Sequence, residues 1–102
     1  MKTIELKNQT EAISIGANKQ DIDISTLELI KIATFTTPQG GFTANDMANR
    51  LRILDAIEKI SENTKFLTLE DSDFANLGKY VNETKWGMIS RTIAEFVKLF
   101  NE

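Results

Sequence analysis

The apolar residues of this chain change their spacing once, and that change determines the class of fold. Over residues 1–24 they alternate: Ile4 and Leu6 sit among Thr3, Glu5 and Lys7, Ile13 and Ile15 among Ala12 and Ser14, and Ile22 and Ile24 among Asp21 and Asp23. A period of two puts one face of an extended strand on a core and the other in water. From residue 43 onward the spacing is three or four, as in Met47, Leu51, Leu54, Ile57 and Ile60. That is the stripe of an α-helix. A small sheet with one apolar face must be covered, and the helices that follow it are what can cover it. The chain is therefore expected to be an α+β protein, with residues 1–24 strand-rich and residues 25–102 mainly helical. A length of 102 residues suits a single domain.

Turn-like breaks at Asn8-Gln9-Thr10 and Gly16-Ala17-Asn18 divide the first part into two or three short strands. The expected arrangement is an antiparallel meander. Residues 25–37 carry opposing signals. Ser25-Thr26-Leu27-Glu28 is a capping box, with Ile24 and Leu29 at staple spacing. Against a helix stand the β-branched Ile30, Ile32, Thr34, Thr36 and Thr37. The cap decides for a helix of two to three turns, stopped by Pro38. Thr43 then caps a helix over about residues 44–62. Phe66-Leu67-Thr68-Leu69 is a short strand, and Glu70 to Asp73 opens a third helix whose stripe is Phe74, Leu77 and Val81. Asn82 to Met88 is a connection, and Ser90 caps a last helix carrying Ile93, Phe96, Val97 and Phe100.

Composition removes whole classes of chemistry. Histidine and cysteine both number 0, so disulfides, thiol nucleophiles, imidazole bases and the usual zinc sites are absent. The net charge of −3 and the lack of a basic stripe argue against nucleic acid as a partner. The opening residues do not read as a signal peptide, and no apolar run approaches a membrane span, so the expected setting is a cytoplasm.

Four constellations suggest chemistry and fall short of it. Gln39-Gly40-Gly41 before a helix start is the one candidate functional loop, but it lacks the spacing and the lysine of a phosphate cradle. Glu70-Asp71-Ser72-Asp73 lacks the alternation of a calcium loop and complements a helix dipole instead. Fifteen acidic residues make chance carboxylate pairs inevitable in so small a domain. The last two helices are joined by a connection longer than the turn of a helix-turn-helix motif. No enzyme, cofactor or metal is expected.

Trp86 is the residue that points outward from this account. It lies in a connection, between Lys85 and Gly87 with Met88 next, where a tryptophan either plugs the core from the side or anchors a partner. Together with Tyr80 and Phe100 on the flanking helices, Lys85, Trp86 and Met88 form the candidate interaction surface. Its partner is expected to be a protein, another copy of the chain included.

Gly40-Gly41-Phe42-Thr43, then Arg50 to Glu58, then Leu67 to Phe74, with Trp86 and the closing Ile93-x-x-Phe96, resemble small proteins encoded in phage and prophage genomes. The likeness spans about residues 38–100 and rests on caps, stripes and a turn. It implies a non-enzymatic role in a host cell or in the particle itself. The first such role is a virion or tail assembly component forming a homo-oligomer, and the second is an inhibitor that binds a host defence protein. A small nucleic-acid-binding regulator is the alternative from another class.

Overall fold

The first strand, β1 (Lys2–Glu5), does not pair with the strand that follows it. The structure is a computed structural model that describes residues 1–15 and 17–101. Gly16 of the expected turn and the side chains of Ser14 and Ile15 lie outside the described residues. The elements run β1, β2 (Asn8–Ile15), β3 (Asn18–Ser25), α1 (Thr26–Phe35), α2 (Ala44–Glu58), β4 (Phe66–Leu69), α3 (Asp71–Glu83) and α4 (Arg91–Lys98). That is the expected α+β order, but the strands do not form one meander. They make two antiparallel pairs, β1 with β4 and β2 with β3.

The reason lies at Lys7. Its carbonyl accepts from the Thr26 N–H at 2.9 Å, and its own N–H donates to Thr26 Oγ1 at 3.2 Å. The chain is thus pinned to the start of α1 between β1 and β2, and β1 is left to find another partner. In β4 it finds one with matching alternation: Ile4 lies opposite Leu67 and Lys2 opposite Leu69, with Ile4, Leu67 and Leu69 all buried. The N–H of Leu6 extends this ladder to the Lys65 carbonyl at 2.7 Å.

The β2–β3 hairpin keeps the expected two faces. Its register sets Gln9 opposite Ile24, Glu11 opposite Ile22 and Ile13 opposite Gln20, so these residues share the inner face. Ile13 and Ile24 are buried there and Ile22 is half-buried. Thr10, Ala12, Lys19, Asp21 and Asp23 face the other way and are exposed. The radius of gyration of 14.3 Å exceeds the roughly 13 Å of a typical domain of 100 residues.

In α1 the cap signal prevails over β-branching. Ser25 Oγ accepts from the Glu28 N–H at 3.4 Å, while the Glu28 carboxylate turns to Lys31 Nζ at 3.7 Å instead of closing the capping box. The threonines are satisfied within the helix turn, Thr34 Oγ1 donating to the Ile30 carbonyl at 2.8 Å and Thr36 Oγ1 to that of Ile32 at 2.6 Å.

Helix α2 starts where expected, with Thr43 Oγ1 accepting from the Asp46 N–H at 3.0 Å, but ends at Glu58. Its buried residues are Arg50, Ile53 and Ile57. Met47 and Leu51, expected in the core, are half exposed. The stripe is turned because Arg50 serves the end of α1, which has no basic residue in its own last turn. One guanidinium nitrogen donates to the carbonyls of Ala33, Thr34 and Thr36 at 3.3, 2.9 and 3.3 Å, and Nε donates to Asp46 Oδ2 at 2.9 Å. The aromatic rings of Tyr80 and Phe42 lie 3.9 and 5.0 Å from it.

Helix α3 opens on acids that complement its dipole, and Asp73 also accepts two hydrogen bonds from Arg52, at 2.9 and 3.2 Å. It continues to Glu83, so the connection to α4 covers residues 84–90 rather than beginning at Asn82. Helix α4 ends at Lys98, before Phe100, and the turn that follows it packs on α3 through Phe100, whose ring lies 4.9 Å from that of Phe74 and 5.3 Å from that of Phe96. The deepest side chains are Ile4, Ile30, Ile53, Leu67, Leu77 and Val81, drawn from both halves of the chain. Among the described residues no helix is long and apolar enough to cross a membrane.

Candidate functional site

The connection between α3 and α4 is held at both ends. At the first, the N–H and the Oγ1 of Thr84 both donate to the Tyr80 carbonyl, at 3.0 and 2.7 Å, and close α3. At the second, Ser90 caps α4 by accepting from the Ile93 N–H at 3.2 Å. A second cap comes from far away in sequence. The Glu11 carboxylate, on the inner face of the hairpin, accepts from Thr92 Oγ1 at 2.6 Å, the Thr92 N–H at 2.8 Å, Ser90 Oγ at 2.9 Å and the Arg91 N–H at 3.1 Å. The side-chain and backbone bonds of Thr92, followed by those of Ser90 and Arg91, hold the Glu11 carboxyl down at about 2. The hairpin is thereby clamped to the N-terminus of α4, where a negative charge is favoured.

Between these fixed ends the connection presents apolar side chains. Trp86 tucks against Phe96, edge to face at 6.3 Å, and is half-buried. Beyond it a groove of about 250 Å³ opens between three walls. Ile22 to Ser25 of β3 form one wall, Glu28, Leu29 and Ile32 of α1 the second, and Lys85 to Met88 the third, with Ile93 also lining it. Ile32 and Met88 are 46% and 40% exposed at its edges, and the next residue, Ile89, is 98% exposed. Ile89 precedes the Ser90 cap, where an apolar residue usually packs on the fourth residue of the helix. That residue here is Ala94, which is small and exposed, so Ile89 finds no partner in its own helix.

The residues singled out in the sequence divide among three places. Lys85, Trp86 and Met88 meet in the groove. Tyr80 is buried beneath Arg50, where burial pushes its phenol up and the neighbouring Asp46 carboxylate pushes it further. Tyr80, Lys85 and Gln39 line a second cleft with Arg50 and Glu83. Phe100 is away from both, half-buried against Gly78. Gly40 and Gly41 take φ of +87° and +89° in a turn closed by the Gly41 N–H on the Pro38 carbonyl at 3.0 Å, a geometry that favours glycine. Ile22, Ile32, Ile89 and Glu11 do not stand out from the sequence as site residues. For Ile89 a signal exists, an apolar residue before a cap with alanine in the staple position.

Compared with protein-family models, with curated proteins and with solved structures, the chain matches none, and the geometry above carries the functional reading.

Proposed function

We propose that the protein acts without catalysis, by holding another protein against the groove between β3, α1 and the α3–α4 connection, as an assembly component of phage type. The observation that supports this most is Ile89. A fully exposed isoleucine that follows Met88, at the edge of a groove lined by isoleucines and Trp86, is costly to leave in water and gains from being covered. The clamp of Glu11 on α4 favours a preformed surface, since it fixes two of the three walls relative to each other before anything binds.

A photo-crosslinking residue placed at position 89 in the producing cells tests the reading, with position 55, on the far face of α2, as the control. The expected result is one discrete crosslinked species from position 89 and none from position 55. A mass of twice 11.5 kDa identifies the partner as a second copy, and any other discrete mass as a different protein. No discrete species from position 89 overturns the proposal.

A further inference from the structure

The four β3 residues that line the groove are consecutive: Ile22, Asp23, Ile24 and Ser25. Side chains on one face of a strand alternate, so a groove against a face would touch every second residue. A groove that touches four in a row runs along the strand's edge. That edge is unoccupied by backbone. Strand β3 pairs only with β2, and among the described residues no backbone hydrogen bond leaves Asn18–Ser25 for any other element. In an antiparallel ladder half of the N–H and C=O groups of such a strand point outward.

On the outer face beside the groove the charges of β3 are acidic, with Lys19 farther along toward the hairpin turn and Lys85 on the wall formed by the α3–α4 connection. Asp21 and Asp23 are exposed on the outer face of the hairpin, and neither has a cationic partner among the described residues. Among the described residues Asp23 accepts only the Thr10 hydroxyl, at 2.7 Å. A second copy of β3 is a poor occupant. The antiparallel self-pairing that sets Ile22 opposite Ile24 of the copy also sets Asp23 opposite its own copy, and the one that sets Ile22 opposite its own copy sets Asp23 opposite Asp21.

We propose that the edge of β3 accepts an extended segment of a different protein as an added strand. The segment would have apolar residues alternating with lysine or arginine. Its apolar side chains lie on the inner face, beside Ile22 and Ile24 and against Trp86, Met88 and Ile32. Its basic side chains lie on the outer face beside Asp21 and Asp23. Main-chain hydrogen bonds hold the strand, and the alternate pockets and charges select it. This rests on the groove being the contact face, and it names the kind of partner that fits there.

The probes are two blocked octapeptides, one alternating valine with lysine and one alternating valine with glutamate. Trp86 is the chain's one tryptophan, so its fluorescence reports occupancy of the groove, and hydrogen exchange of the β3 amides reports strand pairing. The valine–lysine peptide is expected to saturate the fluorescence change and to protect alternate amides of Asn18–Ser25. The double variant Asp21→Lys/Asp23→Lys is expected to bind it at least tenfold more weakly and to prefer the valine–glutamate peptide. The milder Asp21→Asn/Asp23→Asn pair should fall between the two, which guards against misfolding of the reversed variant. Equal binding of the two peptides, or binding without protection of β3, overturns the proposal. A crosslink from position 89 combined with unprotected β3 amides would retain the contact face and remove strand addition. Protected amides without that crosslink would retain strand addition and remove Ile89 from the contact.

Discussion

The guanidinium of Arg50 lies 3.9 Å from the centre of the Tyr80 ring while donating to three carbonyls at the end of α1. One side chain of α2 thus ties α1 to α3. Truncation leaves those carbonyls without their donor and Asp46 without its cation, in a buried place. Arg50→Met is expected to destabilise the fold by about 3 kcal/mol. Arg50→Lys, which keeps the charge but not the planar fork, should cost about 2 kcal/mol. Urea unfolding midpoints at neutral pH measure both. A loss below about 1 kcal/mol for Arg50→Met would show that the carbonyls are satisfied by water.

The Glu11 clamp has a pH signature. Its carboxyl sits at about 2 in the folded protein against an ordinary 4.5. A depressed carboxyl contributes stability that is present in full above the unfolded value and is lost as pH falls through the folded one. Glu11→Gln should therefore be less stable than the native protein at pH 7. The gap should narrow as pH falls from 4.5 toward 2. Denaturant midpoints of the two proteins across that range check it. A gap that stays constant down to pH 2 would mean that Glu11 acts through shape and not through charge.

The contrast between Ser90 and Glu11 shows what was legible in the sequence. Ser90 caps its own helix three residues on, a local relation that the spacing displays. Glu11 caps the same helix from 79 residues away, and nothing about one glutamate on a strand marks it for that use. The strands follow the same division. Alternation located β1, β2 and β3, although the expected break at Asn8-Gln9-Thr10 is instead the start of β2. Whether β1 pairs with β2 or with β4 depends on Lys7 meeting Thr26, a contact between elements. The turned stripe of α2 has the same origin, since Arg50 faces inward to serve another helix's carbonyls. In the groove, Lys85, Trp86 and Met88 were legible because they are adjacent in sequence. Ile22 and Ile32 were not, because packing alone brings them alongside.

Gly78 is the point where α3 meets the end of the chain. A Cβ built there lies 3.1 Å from the Cβ of Phe100, a backbone-anchored atom that cannot swing aside as a side-chain tip can. The helix would otherwise gain up to about 1 kcal/mol from alanine. Gly78→Ala should therefore be destabilising in the native protein and stabilising in a Phe100→Gly background, which removes that Cβ. The double-mutant cycle isolates the contact, with an expected coupling of about 1–2 kcal/mol. Additive effects would show that Phe100 retreats freely.

Trp86 and Ile89 should separate folding from function. Trp86 is half-buried on Phe96, so Trp86→Ala should cost about 2 kcal/mol, less than the roughly 3–5 kcal/mol of removing a fully buried aromatic ring. It should also abolish the partner contact, because the groove loses one wall. Ile89 touches little that folding needs, so Ile89→Asp should leave stability within about 0.5 kcal/mol of the native value. A charge at that position would then meet the covering partner, and the contact should weaken at least tenfold. Thermal melts and partner titrations on the same two preparations read both quantities. Should Ile89→Asp lower the melting temperature as much as Trp86→Ala, Ile89 would belong to the core. Should it leave the partner bound as before, the exposed isoleucine would have no part in the contact, and the groove would be engaged from β3 alone.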